Sequence, residues 1–188
     1  GILPASSLHG ALRTQAERIL RTLGQETPEG YRTPAVQGIG AARTKLDLAS
    51  VLFGAPGWRS VLRCSDFVVT EGERMRQEMV AIDRLTGGGR DTAKFNLDVF
   101  DCPKLAGSLH IDMRRLRLLD SNGTGVAQAA LGLLAHVLRD LDEGDIPLGY
   151  GAAKGYGLST SHALAALDTA LQAAMPAPLG GVDDMVSC

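Results

Sequence analysis

Long apolar runs, paired cysteines and aromatic rings are all scarce in this chain, and each scarcity removes a class of protein. No stretch reaches the ~18 consecutive apolar residues that a spanning helix needs, so no membrane contact is expected. No basic-then-apolar leader with a small-residue cleavage site is present. The three cysteines, Cys64, Cys102 and Cys188, are odd in number and contain no C-x-x-C, so neither a zinc site nor a disulfide framework is indicated. Reduced thiols in a cytoplasmic protein are the expectation. Aromatic residues make up 4% against 45% hydrophobic, so the core must be built from Leu, Val, Ala and Ile. An excess of positive charge is missing too, since the formal net charge is −2. The charge is unevenly placed, however. Residues 120–188 carry two basic and eight acidic side chains, and residues 1–119 carry 17 basic and 13 acidic. A phosphate-bearing partner would be drawn to the first part.

The length of 188 residues suits a single domain, with an insertion at about 71–94 and a loose Pro- and Gly-containing tail at about 176–188. Apolar spacing predicts an amphipathic helix over about 6–23, with Leu8, Leu12, Ile19 and Leu23 near one face, Ser6 and Ser7 as N-caps and Gly24 as C-cap. Residues 25–43 read as loop, and a short helix is expected at 45–52, stopped by Gly54 and Pro56. Alternation predicts strands at Trp58–Thr70, Val80–Arg84, Phe95–Phe100 and Ala106–Leu118. Glu71–Gln77 is a charged hairpin arm or loop, and Thr86–Gly89 and Asp120–Gly125 are turns. A second strong helix is expected at Val126–Leu141, with Leu131, Leu134, Leu138 and Leu141 inward and Gly144 ending it, and a third at His162–Ala174. A strand or hairpin between them should carry a glycine-rich loop. This order is most of a split β-α-β unit: an α+β, ferredoxin-like antiparallel sheet with helices on one face. The chain opens on Gly1 rather than Met, which fits a fragment, a processed product or a trimmed chain, and the first strand of the unit is expected upstream.

Three constellations carry chemistry. In LPASSLHGALR, the hydroxyls of Ser6 and Ser7, the free amides of a helix start and Arg13 suit a phosphate. Ordinary capping with Arg13 in solvent is the alternative. In MVAIDRLTGGGRDTAKF, Arg84, Arg90 and Lys94 around a glycine turn suit a groove that follows a nucleic-acid backbone. Otherwise Asp83 and Arg84 pair and the turn is a bare hairpin tip. In GYGAAKGYG, Lys154 and Tyr156 sit among Gly151, Gly155 and Gly157. Glycine at this density serves positive φ or close approach to the main chain. The loop is neither a P-loop nor G-x-G-x-x-G, and a tight hairpin that lets helix and sheet pack closely would also explain it. His9, His110, His136 and His162 show no metal-ligand spacing. His136 reads as a core residue on its helix. His9, beside the helix start, could act as a general acid or base, although no partner for it is identifiable.

These segments, in this order, resemble the RAMP superfamily of CRISPR-associated proteins, and most of all the backbone subunits of type III effector complexes. The resemblance rests on LPASSLHGALR, on LFG followed by a strand ending in SDF (Leu52–Gly54, Ser65–Phe67), on AIDRLTGG and on IPLGYGAAKGYG, and it runs from residue 1 to about 160. It implies a guide-RNA-binding fold related to the RNA recognition motif, in antiviral defence. Guide RNA, target RNA and other RAMP subunits or domains would be its partners. Ser6, Ser7, His9 and Arg13 would contact the guide, as would Gly151, Lys154, Gly155, Tyr156 and Gly157. The 71–94 insertion, with Arg84, Arg90 and Lys94, would act as a thumb that splays bases. The chain departs from the family pattern at Ala5 and at His9, where Gly and a basic residue are usual. The catalytic Asp of RNA-cleaving members would lie before Gly1, and such cleavage would use a divalent ion such as Mg. No cofactor is expected within the chain itself. Two other functions fit the same residues. One is a metal-independent guide-processing ribonuclease with His9 as base. The other is a non-catalytic interaction module without an RNA role.

Overall fold

In this computed structural model the described residues are 1–28, 35–120, 123–151, 154–158 and 160–174, without the side chains of 90–93 and 174. The expected tail at 176–188 lies outside them. The architecture is α+β with antiparallel sheet, as a ferredoxin-like fold requires. The elements are β1 (Ile2–Leu3), α1 (Ala5–Thr22), α2 (Gly38–Lys45), α3 (Leu48–Phe53), β2 (Leu62–Cys64), β3 (Phe67–Ile82), β4 (Gly89–Ala106), β5 (Leu109–Ile111), α4 (Met113–Leu119), α5 (Val126–Asp142) and α6 (Ala163–Ala174). One sheet has the order β1-β3-β4, and β2 pairs with β5 in a second. The first strand of the unit, expected before Gly1, is met instead by a two-residue strand inside the chain. Ile2 and Leu3 pair antiparallel with Val68 and Phe67.

The chain forms two compact units, Gly1–Leu8 with Cys64–His110 and His9–Arg63 with Ile111–Cys188. In the first, β3 and β4 form a ribbon of 16 and 18 residues, about 50 Å long at ~3.3 Å per residue. The charged run at Glu71–Gln77 is one arm of it. Register is regular from Glu73 to Val80, so alternate residues share a face. Met75, Met79, Phe95, Leu97 and Val99 share one face, while Arg74, Arg76, Glu78, Asn96 and Asp98 share the other. A shift next to Gly72 bends the ribbon base. Gly72 has φ 133°, and a Cβ there would sit 2.9 Å from Pro103 Cα, so this irregularity needs glycine.

In the second unit, α5 packs against α3, α4 and α6. Its buried stripe is Ala130, Leu133, Leu134, Val137, Leu138 and Leu141, the period of a helix with one apolar face. Leu131 is only half-buried, and His136, read as a core residue, is exposed on the opposite side. Both strong helices end as expected, with Gly24 and Gly144 left-handed at φ 75° and 84°. Along α1 the buried line is Leu8, Leu12, Ala16 and Leu20, and Leu23 falls past the helix end at 70% exposure.

Four segments depart from expectation. Residues 38–43, read as loop, fall in α2, although glycines hold two of its first three positions, and the helix expected at 45–52 begins at Leu48 as α3. Trp58 is not in a strand. It is buried, and its Nε1–H donates to the Val51 carbonyl at 3.1 Å, closing α3 against the chain that follows. The strand expected at Ala106–Leu118 stops at Ile111, and α4 replaces its second half. Asp112 caps α4 by accepting from the Arg115 N–H at 3.0 Å. The glycine-rich loop is carried by no strand among the described residues.

Candidate nucleic-acid interface

At the start of α1, Pro4 blocks the preceding strand, and its carbonyl accepts from Ser7 N–H at 3.0 Å and Leu8 N–H at 3.3 Å. Ser6 and Ser7 are inside the first turn, not at the cap. The Ala5 N–H donates instead to Asp66 Oδ1 at 2.7 Å. The first free amide of this helix is thus met by the chain's own carboxylate, the favourable charge for a helix N-terminus. The two serine hydroxyls remain exposed and hydrogen-bond to no described residue. What this turn offers a phosphate is therefore hydroxyl groups, with a carboxylate already in place beside them.

His9 and Arg13 belong to the second unit. His9 is half-buried, lies edge-on to Phe53 with centroids 5.2 Å apart, and places Nε2 3.3 Å from Ser60 Oγ. The Ser60 hydroxyl has one proton, and the Leu52 and Leu62 carbonyls both lie within its reach. That proton goes to a carbonyl, so Ser60 accepts from His9 Nε2–H. Burial, and after it the Arg13 charge, hold the His9 imidazole below its ordinary range, with the Leu62 backbone working the other way. A neutral imidazole tethered through Nε2 offers a phosphate no positive charge. Arg13 is neither in solvent nor open to a ligand on all sides. Its Nε donates to Glu17 at 2.8 Å and its guanidinium to the Gly54 carbonyl at 2.9 Å, at the end of α3.

At the ribbon tip, Asp83 does not pair with Arg84. Its carboxylate accepts from Leu85 N–H at 2.7 Å and Thr86 N–H at 3.3 Å, a side-chain turn that fixes the tip. Arg84 and Leu85 are thereby displayed, the latter 97% exposed. Lys94 is exposed opposite Val80, and the Arg90 side chain lies outside the described residues.

The glycine-rich loop closes on itself. Leu148 N–H donates to the Gly157 carbonyl at 2.8 Å, and the Gly151 carbonyl accepts from Lys154 N–H at 2.7 Å and Tyr156 N–H at 3.3 Å. A Cβ on Gly157 would sit 1.9 Å from the Leu148 carbonyl oxygen, and one on Gly151 2.9 Å from the Tyr156 ring. These two glycines answer to the turn itself. Gly149 and Gly155 are also left-handed, both with φ 83°, but nothing lies within 4 Å of their missing Cβ. The main chain there is open to an approaching molecule. Beside it, Lys154 Nζ stands 5.3 Å from the Tyr150 ring centroid, and Tyr150 is exposed.

The two described cysteines are free. Burial pushes the Cys64 thiol up to about 11, so it is protonated and inert at neutral pH, and Cys102 is exposed. Among the described residues, one carboxylate group gathers tightly: Asp140, Glu143 and Asp145, with oxygens within 4.8 Å. Gln15 donates to Asp140 at 2.6 Å and Arg139 lies 3.7 Å from Glu143. The protein's own side chains thus engage two of the three, which fits a self-satisfied surface cluster better than a metal site. No helix among the described residues is long and apolar enough to cross a membrane.

Sequence reasoning misses Asp66 and the arginines of α4. Asp66 acts across 61 residues of chain, which no local pattern carries. The α4 arginines follow an Asp cap and lie on both sides of Leu116, which forms with Leu119 an i, i+3 pair that alternation obscures. A comparison with protein families finds that the RAMP superfamily matches residues 2–159. No curated protein matches the chain.

Proposed function

The chain belongs to the RAMP superfamily of CRISPR-associated, RNA-binding proteins, and from that premise we propose that it is a guide-RNA-binding backbone subunit, or one such domain, of a type III-like effector complex. The observation that carries this reading is the ribbon. Two strands of 16 and 18 residues project an ordered tip bearing Arg84, with Lys94 below it, and the arms bury little. Such an arm contributes little to a core and much to a long, thin partner, which is the thumb role. The glycine-rich loop adds a second contact. Main chain at Gly149 and Gly155 is open, and Lys154 and Tyr150 stand beside it as a cation and a stacking face.

In this reading the exposed hydroxyls of Ser6 and Ser7 and the loop from Gly151 to Gly157 hold the guide backbone. Arg84, Arg90 and Lys94 act on the thumb. His9 and Arg13 are engaged by Ser60 and by Glu17 and the Gly54 carbonyl, and take a smaller part in holding phosphate. Target RNA and neighbouring RAMP subunits are the further partners, in the cytoplasm.

The test is binding of labelled single-stranded RNA to the intact chain across a salt series. Affinity should fall steeply with salt. Lys154→Ala should weaken it and reduce the slope of log K against log salt by about 0.7, the share of one single-strand phosphate contact. Binding that is absent, or indifferent to salt, would overturn the proposal in favour of an interaction module without RNA.

A further inference from the structure

Residues 113–119 form a helix where alternation predicts a strand, and the difference relocates two cations. On a strand, Arg114 and Arg117 would point to opposite faces, because their separation is odd. On α4 the same separation makes them neighbours, with Cβ atoms about 5–6 Å apart. Leu116 and Leu119 face inward and are fully buried, so the arginines face out, with Leu118 on the same side at 45% exposure. Both arginines are exposed, and neither forms an ion pair with a described residue.

The surrounding charges are already committed. Arg115 lies over the Trp58 ring at 5.0 Å and within 3.8 Å of Asp112. The Asp120 carboxylate accepts from the Thr124 hydroxyl at 3.1 Å. Arg43 reaches from α2 to the carbonyls of Leu118 and Leu119, at 2.6 and 3.1 Å, and so neutralises the negative end of α4. Two guanidinium forks are left on one face, while the acids at the two ends of α4, Asp112 and Asp120, accept from the Arg115 N–H and the Thr124 hydroxyl. Arg59 and Arg63, both exposed, flank Val61, whose carbonyl accepts from the Asp112 N–H at 3.0 Å. That bond holds their segment against the start of α4.

We propose that the outer face of α4 is a second phosphate-binding surface, in which Arg114 and Arg117 take neighbouring phosphates of an RNA strand and Arg59 and Arg63 extend its cationic edge. The guanidinium fork suits phosphate oxygens better than a point charge does. The groups that face the strand are backbone-reading ones, so the contact is independent of base sequence. This surface rests on the RNA-binding reading above and adds to it a face that reading does not use.

The experiment compares the intact chain with Arg114→Ala/Arg117→Ala, with Arg114→Lys/Arg117→Lys, and with Arg18→Ala/Arg139→Ala as a charge-matched control. Single-stranded RNA of mixed sequence and a homopolymer serve as probes across a salt series. The Ala pair should reduce the slope by about 1.4, two contacts at about 0.7 each, on both probes. The Lys pair should keep the slope and lose only part of the affinity, and the control should leave both unchanged. An unchanged slope in the Ala pair, or an equal loss in the control, overturns the α4 surface while leaving RNA binding intact. Absence of salt-dependent binding by the unaltered chain overturns both readings together. Because these side chains are exposed, unchanged melting of the Ala pair is expected and confirms that folding is not the cause.

Discussion

Asp66 and His9 show how single side chains set the terms on which this surface meets an anion. Asp66 supplies an acceptor to the Ala5 N–H and a negative charge beside Ser6 and Ser7. The two roles separate by substitution. Asp66→Asn keeps an acceptor but removes the charge, so RNA affinity should rise a few-fold while melting changes little. Asp66→Ala should cost about 1 kcal/mol of stability, the usual loss of a helix cap. Equal RNA affinity in both variants and the unaltered chain would mean that no phosphate comes near this turn. For His9 the sign of the pH effect follows from its environment. Its folded value lies below the ordinary 6.5, through burial first and Arg13 second. The unfolded chain therefore binds the proton more readily, and the stabilisation is complete above the unfolded value and lost as pH falls through the lowered folded one. Urea midpoints of the unaltered chain should drop more between about pH 7.5 and about pH 5 than those of His9→Gln, which cannot take up the proton. Parallel drops would assign the acid sensitivity to other groups.

Element by element, the sequence is most readable where one period dominates. The helices α1 and α5 carry long apolar stripes at helical spacing and glycine stops, and their bounds agree with expectation to within a residue or so. The segment LHIDMRRLRLL satisfies both periods, since its apolar residues alternate before Asp112 and fall three apart after it. Only the side-chain cap at Asp112 decides for helix. The helix α6 depends on a similar device that no local pattern reveals. Asp142, at the end of α5, accepts from the Ser161 hydroxyl, from Ala163 N–H at 2.9 Å and from Leu164 N–H at 3.0 Å. Burial alone would raise this carboxyl, but those bonds and the His162 charge outweigh it and hold it below its ordinary value. Asp142→Ala should loosen α6 at a cost of about 1 kcal/mol, read as faster amide exchange over Ala163–Ala174 with α5 unchanged. In the glycine-rich loop, Gly157→Ala combines a left-handed φ of 77° with a carbonyl oxygen at 1.9 Å. It should cost more than the about 1–2 kcal/mol of the conformation alone, and should reduce RNA binding through loss of loop shape. Among the candidate residues, the loop was legible as a cluster because its members are contiguous. The roles of His9 and Arg13 were not, because their partners Ser60 and Gly54 are far along the chain.

Across the whole molecule, stability and reach are assigned to different parts of the chain. Of the buried apolar side chains among the described residues, Leu8 alone belongs to the first unit, and all the others, from Leu12 to Leu167, belong to the second. The β3–β4 ribbon therefore has ladder hydrogen bonds and cross-strand pairs such as Arg74–Asp98 to hold it, and no packed layer of its own. A lone two-stranded ribbon is marginal in water, and this one runs to 34 residues. The consequence is testable by excision. Glu71 and Lys104 are partners in register, so the chain between them can be replaced with an Asn-Gly turn, which suits a two-residue hairpin. The helical unit should keep its cooperative melt, with the midpoint moved by no more than about 2–4 °C, the shift that ~1 kcal/mol makes in a domain of this size. RNA affinity should fall with loss of Arg84, Arg90 and Lys94, and the salt slope should shrink by up to about 2, three contacts at ~0.7 each. A melt that collapses on excision would show that the ribbon supports the core. A slope that survives it intact would remove the ribbon from the RNA-binding surface.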